Sequence, residues 1–242
     1  MPRVLVIGSS NTDLIIRASK LPSPGETVLG GTFFIAGGGK GANQAVAAAR
    51  AGAQVTFIAR LGCDDFGTQA LSVFQREGID TQWIVSDPHL PSGVAFILVD
   101  KRGENTIVVA SGANAALSLD QIQDQVYKNA EICLLQLETP LETVMQAASL
   151  SSKNKTRVVL NPAPAADLPE EICLIFFSLH PIKPKPNTSR ASPPIAQKIS
   201  QKQPRNSSKK ALKTPLSPWD HRARFWRHQI KLYTYRLLKL CQ

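Results

Sequence analysis

The sequence predicts an α/β fold in which a mostly parallel sheet carries helices on both faces. Three observations predict it. Short apolar runs rich in Val, Ile and Leu alternate with longer stretches of strong helix formers, the spacing between runs suits crossover connections, and the runs end in Gly, Asn or Glu.

The first run, Val4 to Ile7, reads as a strand that opens into the polar loop Gly8-Ser9-Ser10-Asn11-Thr12-Asp13. Lys40 to Ala51 (KGANQAVAAARA) is a helix closed by Gly52, with the glycine run Gly37-Gly38-Gly39 before it. Val55 to Ala59 follows as a strand, and Phe66 to Glu77 as a helix closed by Gly78. Gly93 to Val99 and Thr106 to Ala110 are strands joined by the turn Lys101-Arg102-Gly103-Glu104-Asn105. Ser118 to Gln121 has the S-x-x-Q form of a capping box before another helix. Ile132 to Leu137 is a strand ending at Glu138, Leu141 to Ser151 a helix, and Arg157 to Leu160 a strand ending at Asn161-Pro162. In such a sheet ligands gather beyond the carboxyl ends of the strands, where Asn11, Asp13, Glu138 and Asn161 fall. Carboxylates accept hydroxyl protons and amides both donate and accept, so a sugar is the natural ligand.

Composition divides the chain. Residues 172–242 hold 15 Lys and Arg against the single acid Asp220, whereas residues 1–171 hold 13 against 17 Asp and Glu. All 15 glycines precede residue 172. No apolar stretch approaches the roughly 18 residues of a membrane span or forms a signal-peptide core, so a cytoplasmic protein is expected. Cys63, Cys133, Cys173 and Cys241 lie far apart, which suits neither a zinc site nor a disulfide framework.

The segment Ala36-Gly37-Gly38-Gly39-Lys40-Gly41-Ala42-Asn43 is the most informative, because backbone amides at a helix N-terminus can receive anions or hydroxyls. It is not a Walker loop, since Gly41 stands where Ser or Thr is required, and its G-x-G-x-x-A match does not follow the first strand of a βαβ unit.

GGGKGANQAVAAARAGA, with Gly8 to Asp13 and Pro24-Gly25-Glu26-Thr27, closely resembles the ribokinase-like family of carbohydrate kinases. The resemblance continues through Ser92-Gly93-Val94-Ala95, Gly103-Glu104-Asn105, Gly112 to Leu117, Gln136-Leu137-Glu138 and Asn161 to Ala165, and so covers residues 1 to about 171. It implies a ribokinase-like three-layer α/β sandwich with a small β-sheet lid, the C-terminal third being missing. Residues 1–171 would be a truncated sugar-binding domain that includes the lid strands, near Leu14 to Ala18, Thr27 to Ile35, Ala95 to Val99 and Thr106 to Val109. It also implies that Asn11, Thr12, Asp13, Gly39, Lys40, Gly41, Ala42, Asn43 and Glu138 bind the hydroxyls of D-ribose or a similar sugar, and that the lid pairs two subunits into a homodimer. The implied chemistry is γ-phosphoryl transfer from ATP with Mg2+ and a monovalent cation.

The family keeps its base and anion-binding amides in a D-T-x-G-A-G-D-like loop, for which residues 172–242 have no glycine. No catalytic residue is therefore expected in this chain, and none of the ATP and metal sites. Asp220 lacks the surrounding glycines. Back-translating His180 to Asn187 and reading from the third nucleotide permits Pro-Asn-Gln-Thr-Glu-Ala-Glu, of the family's N-x-x-E form, and the same offset over Ser217 to Trp226 permits Thr-Leu-Gly-Ser. A shifted reading frame is the leading account of a disordered, non-native segment. The alternatives are a basic tail that binds nucleic acid or an acidic membrane through Arg222, Arg224, Arg227, Lys231, Arg236 and Lys239 near Phe225, Trp226, Tyr233 and Tyr235, and a non-catalytic sugar-binding protein. The leading reading has neither nucleic acid nor membrane as a partner.

Overall fold

The computed structural model describes residues 1–168 and the backbone of Ser178–Leu179. A six-stranded parallel sheet forms from β1 (Arg3–Ile7), β4 (Gln54–Gly62), β5 (Ile84–Asp87), β8 (Ile132–Leu135), β9 (Arg157–Leu160) and β10 (Ser178–Leu179), in the order β10-β9-β8-β1-β4-β5. Central β1 alternates two buried sets. Val4 and Val6 point into one core with Phe57, Ala45, Ala48 and Phe74, under α1 (Lys40–Arg50) and α2 (Asp65–Arg76). Leu5 and Ile7 point into the other with Cys133, Leu135, Tyr127 and Ala147, under α3 (Asp124–Lys128) and α4 (Leu141–Lys153). Burial on both faces is why these strands read as continuous apolar runs. The result is three layers.

A second sheet, ordered β3-β2-β6-β7, comprises β2 (Asn11–Arg17), β3 (Thr32–Gly38), β6 (Gly93–Val99) and β7 (Asn105–Ala110). The β2–β3 and β6–β7 pairs are antiparallel, and β2–β6 is parallel. This sheet leaves Phe33, Phe34, Ile35, Phe96, Ile107, Val108 and Val109 exposed.

Helix ends follow their local chemistry. After α1 and α2, Gly52 (φ 90°) and Gly78 (φ 72°) take the left-handed position of a Schellman closure, in which Ala53 and Ile79 donate to the carbonyls of Ala48 and Phe74. Asp64 caps α2, accepting from Gly67 N and from both the amide and hydroxyl of Ser92. Those bonds, against the opposing effect of burial, hold its carboxyl below the ordinary range.

Three expectations are corrected. The Ser118 hydroxyl turns within its own loop, donating to Asp120 Oδ2 and accepting from Asp120 N, and α3 begins only at Asp124. Short local bonds win there over a helix start. The polar loop ends at Ser10, because Asn11–Arg17 is paired on both sides. Gly37 and Gly38 likewise belong to β3, and only Gly39 precedes the helix. Cys63 and Cys133 are free thiols, the first exposed and the second buried. Residues 169–177 and 180–242, with Asp220 and the basic segment, lie outside the described residues, and so does the side-chain packing of Ser178–Leu179.

Candidate functional site

Parallel strands β1, β8 and β9 end at one edge of the main sheet, so Gly8-Ser9-Ser10, Gln136-Leu137-Glu138 and Asn161 come together there. The chain crosses from β1 into β2 over three residues, which brings the start of the second sheet to the same edge.

Glu138 binds the two sides. Its Oε2 accepts from Ser9 Oγ at 2.6 Å and from the Lys40 amide at 2.8 Å, and its Oε1 lies 2.9 Å from Lys40 Nζ. Burial alone would raise its pKa, but the bonds from Ser9 and Lys40 outweigh burial and hold the carboxyl below its ordinary range.

Asp13 stands in the opposite condition. It is half-buried, no hydrogen bond to its carboxylate comes from the described residues, and its pKa is pushed up to about 6, first by burial and then by the Glu138 charge, with Lys40 opposing. A Cβ on Gly38 would lie 2.1–2.5 Å from the Asp13 carboxyl atoms, so glycine there leaves the carboxylate its space.

The helix start packs against backbone. A Cβ on Gly39 (φ 85°) would meet Asn11 N and Ser10 Cα at 2.8 Å, and one on Gly41 would meet Ser9 N at 2.6 Å. The first-turn amides are already engaged: Lys40 N by Glu138, Gly41 N by Ser9 Oγ at 3.4 Å, and Ala42 N by Ser9 O at 2.8 Å. This corrects the expectation of bare amides for an anion, because the chain's own acceptors occupy them.

Of the nine residues singled out by sequence, Lys40 and Glu138 form an ion pair, and Asp13 lies within electrostatic reach of both. Asn11 shares the Asp13 face of β2, while Thr12 alternates to the other face, opposite Gly37 and Val94. Gly39, Gly41 and buried Ala42 form the packing contact, and Asn43 is exposed one turn into α1. Asn161 follows β9, and its buried Oδ1 has no partner among the described residues.

Sequence reasoning missed Ser9 as a partner of Glu138. It also missed Asn114, which lies in a 3-10 turn (Gly112–Ala116) and hydrogen-bonds to Ser10 and Asn11. Gln136 was missed too: its side chain is 1% exposed, donates to Gln44 Oε1, and would meet a Cβ on Gly8 at 1.9 Å. Each lies in a motif that stands out in the sequence, but no spacing rule joins residue 114 to residue 11.

A family model described as pfkB family carbohydrate kinase matches residues 1–184. The chain is 46% identical over 179 residues to a ribokinase of Haemophilus influenzae, covering 73% of this chain and 58% of that one. It is 40% identical over 178 residues to a ribokinase of Bacillus subtilis, covering 71% and 59%. Among solved structures, the ribokinase of Thermotoga maritima superposes with a TM-score of 0.67 at 34% identity, covering 75% of this chain and 59% of that one. The ribokinase of Arabidopsis thaliana in complex with ribose and ATP superposes with a TM-score of 0.66 at 30% identity, covering 74% and 60%. The chain thus spans about three-fifths of the length of these relatives.

Proposed function

The chain belongs to the pfkB family of carbohydrate kinases, and from that premise we propose that residues 1–171 are the sugar-binding part of a ribokinase-type enzyme acting on D-ribose or a close analogue in the cytoplasm. The observation that carries this reading is Asp13. A half-buried carboxylate without a hydrogen-bond donor among the described residues is costly, and sugar hydroxyls supply the missing donors. Asn11 lies on the same face of β2 to take part, and Lys40 supplies positive charge nearby. Glu138 serves as the clamp that holds the α1 start against the β1 loop, so its contribution to the sugar is chiefly through Lys40 and Ser9.

In the whole enzyme the sugar hydroxyl attacks the γ-phosphoryl group of ATP, which requires a base and donors for the developing charge. The described residues supply binding and orientation for that step. Among them no group of three or more His, Cys, Asp and Glu comes together to hold a metal ion. Residues 172–242 contain no glycine for an anion-binding loop, and we read a shifted reading frame as the source of their composition. We therefore read this chain as unable to phosphorylate sugar by itself, with neither nucleic acid nor membrane as a partner. No helix of the described residues is long and apolar enough to cross a membrane. The exposed apolar residues of the second sheet support its role as a lid that pairs with a second copy.

The test compares the purified chain with a version whose reading frame is restored after codon 171. Calorimetric titration with D-ribose is expected to show binding that Asp13→Asn abolishes. Turnover with ribose, ATP and magnesium is expected only after restoration, and comparable turnover by both would refute the reading of this chain as inactive.

A further inference from the structure

We propose that Asn114 is a positioning residue that sets the hydrogen-bonding polarity of Asn11, so that Asn11 offers a sugar oxygen its Nδ2 as donor. The proposal rests on the sugar-binding reading above. Asn114 is 2% exposed, and its amide is held by groups whose sense is unambiguous. Its Oδ1 accepts from Ser10 N at 2.9 Å, and a backbone N–H can only donate. Its Nδ2 faces the carbonyls of Ser10 and Ser111, each at 3.0 Å, which can only accept. Turning this amide over would set oxygen against two carbonyls and NH2 against an N–H.

The orientation of Asn114 is thus fixed by backbone, and it dictates that of its neighbour. The two protons of Asn114 Nδ2 are shared among those carbonyls and Asn11, which makes the shortest contact at 2.8 Å; an NH2 group of Asn11 there would set N–H against N–H, so the Asn11 atom is Oδ1. The Asn11 Nδ2 is left at the other end, and none of the hydrogen bonds among the described residues uses it. Gly93 on β6 makes room for the contact, since a Cβ there would lie 2.2 Å from Asn114 Nδ2 and 2.3 Å from Asn11 Oδ1.

A donor at Asn11 beside an acceptor at Asp13, two residues along one face of β2, matches ligand hydroxyls that receive one hydrogen bond and give another. A vicinal diol has that pattern. An acceptor at both positions would demand two donated protons and would repel across the pair.

The test uses the full chain and D-ribose as the probe. Asn114→Asp keeps the shape but sets a second oxygen against the two carbonyls, so Asn11 turns over to offer that oxygen its NH2. The expected results are at least a tenfold weaker affinity for ribose and side-chain NH2 resonances of Asn11 that are displaced before any sugar is added. A role confined to stability would lower the melting temperature and leave those resonances in place. Unmoved Asn11 resonances in the folded variant, or an affinity within twofold of the unsubstituted chain, overturn the proposal.

A second measurement needs no variant. In the unsubstituted chain, a coupling through the hydrogen bond from Asn114 Nδ2 to Asn11 Cγ supports the proposal, and a coupling from Asn11 Nδ2 to Asn114 Cγ overturns it. Failure of the unsubstituted chain to bind ribose would count against the sugar reading, while the Asn11 resonances and the coupling would still decide the polarity.

Discussion

Replacing Gly41 by alanine sets two well-known effects against each other. Within a helix, Gly→Ala ordinarily stabilises by about 1 kcal/mol. Here the new Cβ would lie 2.6 Å from Ser9 N and 2.7 Å from Gly8 C and Ser9 O. All three are backbone atoms, which cannot swing aside as a long side chain can. Overpacking of this kind costs about 1–3 kcal/mol, and the upper half of that range applies where the neighbour is main chain. The helix gain offsets part of it, leaving a net loss of about 1–2 kcal/mol. At roughly 2–4 °C per kcal/mol for a domain of this size, the melting temperature should fall by about 2–8 °C. The displaced Ser9 also holds Glu138 through its hydroxyl and Ala42 through its carbonyl, so sugar affinity should fall as well. Far-UV circular dichroism with heat and urea, followed by titration with D-ribose, measures both. A variant that is more stable by about 1 kcal/mol, as at an ordinary helix position, would refute the close-packing argument.

Three further outcomes are expected. Asp13, with its pKa raised to about 6 mainly by burial, takes up its proton more readily folded than unfolded. Its contribution to stability therefore falls as pH rises from its ordinary value near 3.8 to about 6 and is level above, so Asp13→Asn should gain stability relative to the unsubstituted chain over that window. Ribose affinity should rise over the same window as the carboxylate forms, and titrations that are flat from pH 5 to 7 would contradict the assignment. Glu138→Gln removes the charge that the Ser9 hydroxyl and both nitrogens of Lys40 address, and should cost about 1.5–3 kcal/mol in urea unfolding; a loss below about 0.5 kcal/mol would show that the clamp is idle. Lys155 holds the left-handed position (φ 64°) after α4, where Lys155 N donates to Ser152 O and Thr156 N to Ser151 O. Lys155→Gly should therefore stabilise by about 0.5–1 kcal/mol, and a lowered melting temperature would count against that geometry.

The capping box and the glycine run show where local reasoning ends. Ser118 and Gln121 have the right spacing for a cap, but the hydroxyl finds Asp120 first, and no neighbouring element compels a helix there. Gly37 and Gly38 look like a loop before a helix, yet pairing with Thr12 and Asn11 makes them strand. Strand pairing is a long-range choice, and a glycine pattern carries no record of its partner.

The sequence by itself determined the alternation of strands and helices, the Gly52 and Gly78 closures, the α/β class and the family, because each depends on residue type at short spacing. It also singled out Asp13, Lys40 and Glu138 as candidates. Only the tertiary structure decided that Glu138 spends its oxygens on Ser9 and Lys40 while Asp13 receives no donor among the described residues, since the two carboxylates are 125 positions apart and differ chiefly in what surrounds them. The roles of Asn114 and Gln136 were likewise decided by folding. A buried amide takes its meaning from the direction of the groups around it, and those directions exist only once β1, β2, β8 and the 3-10 turn meet at one edge of the sheet.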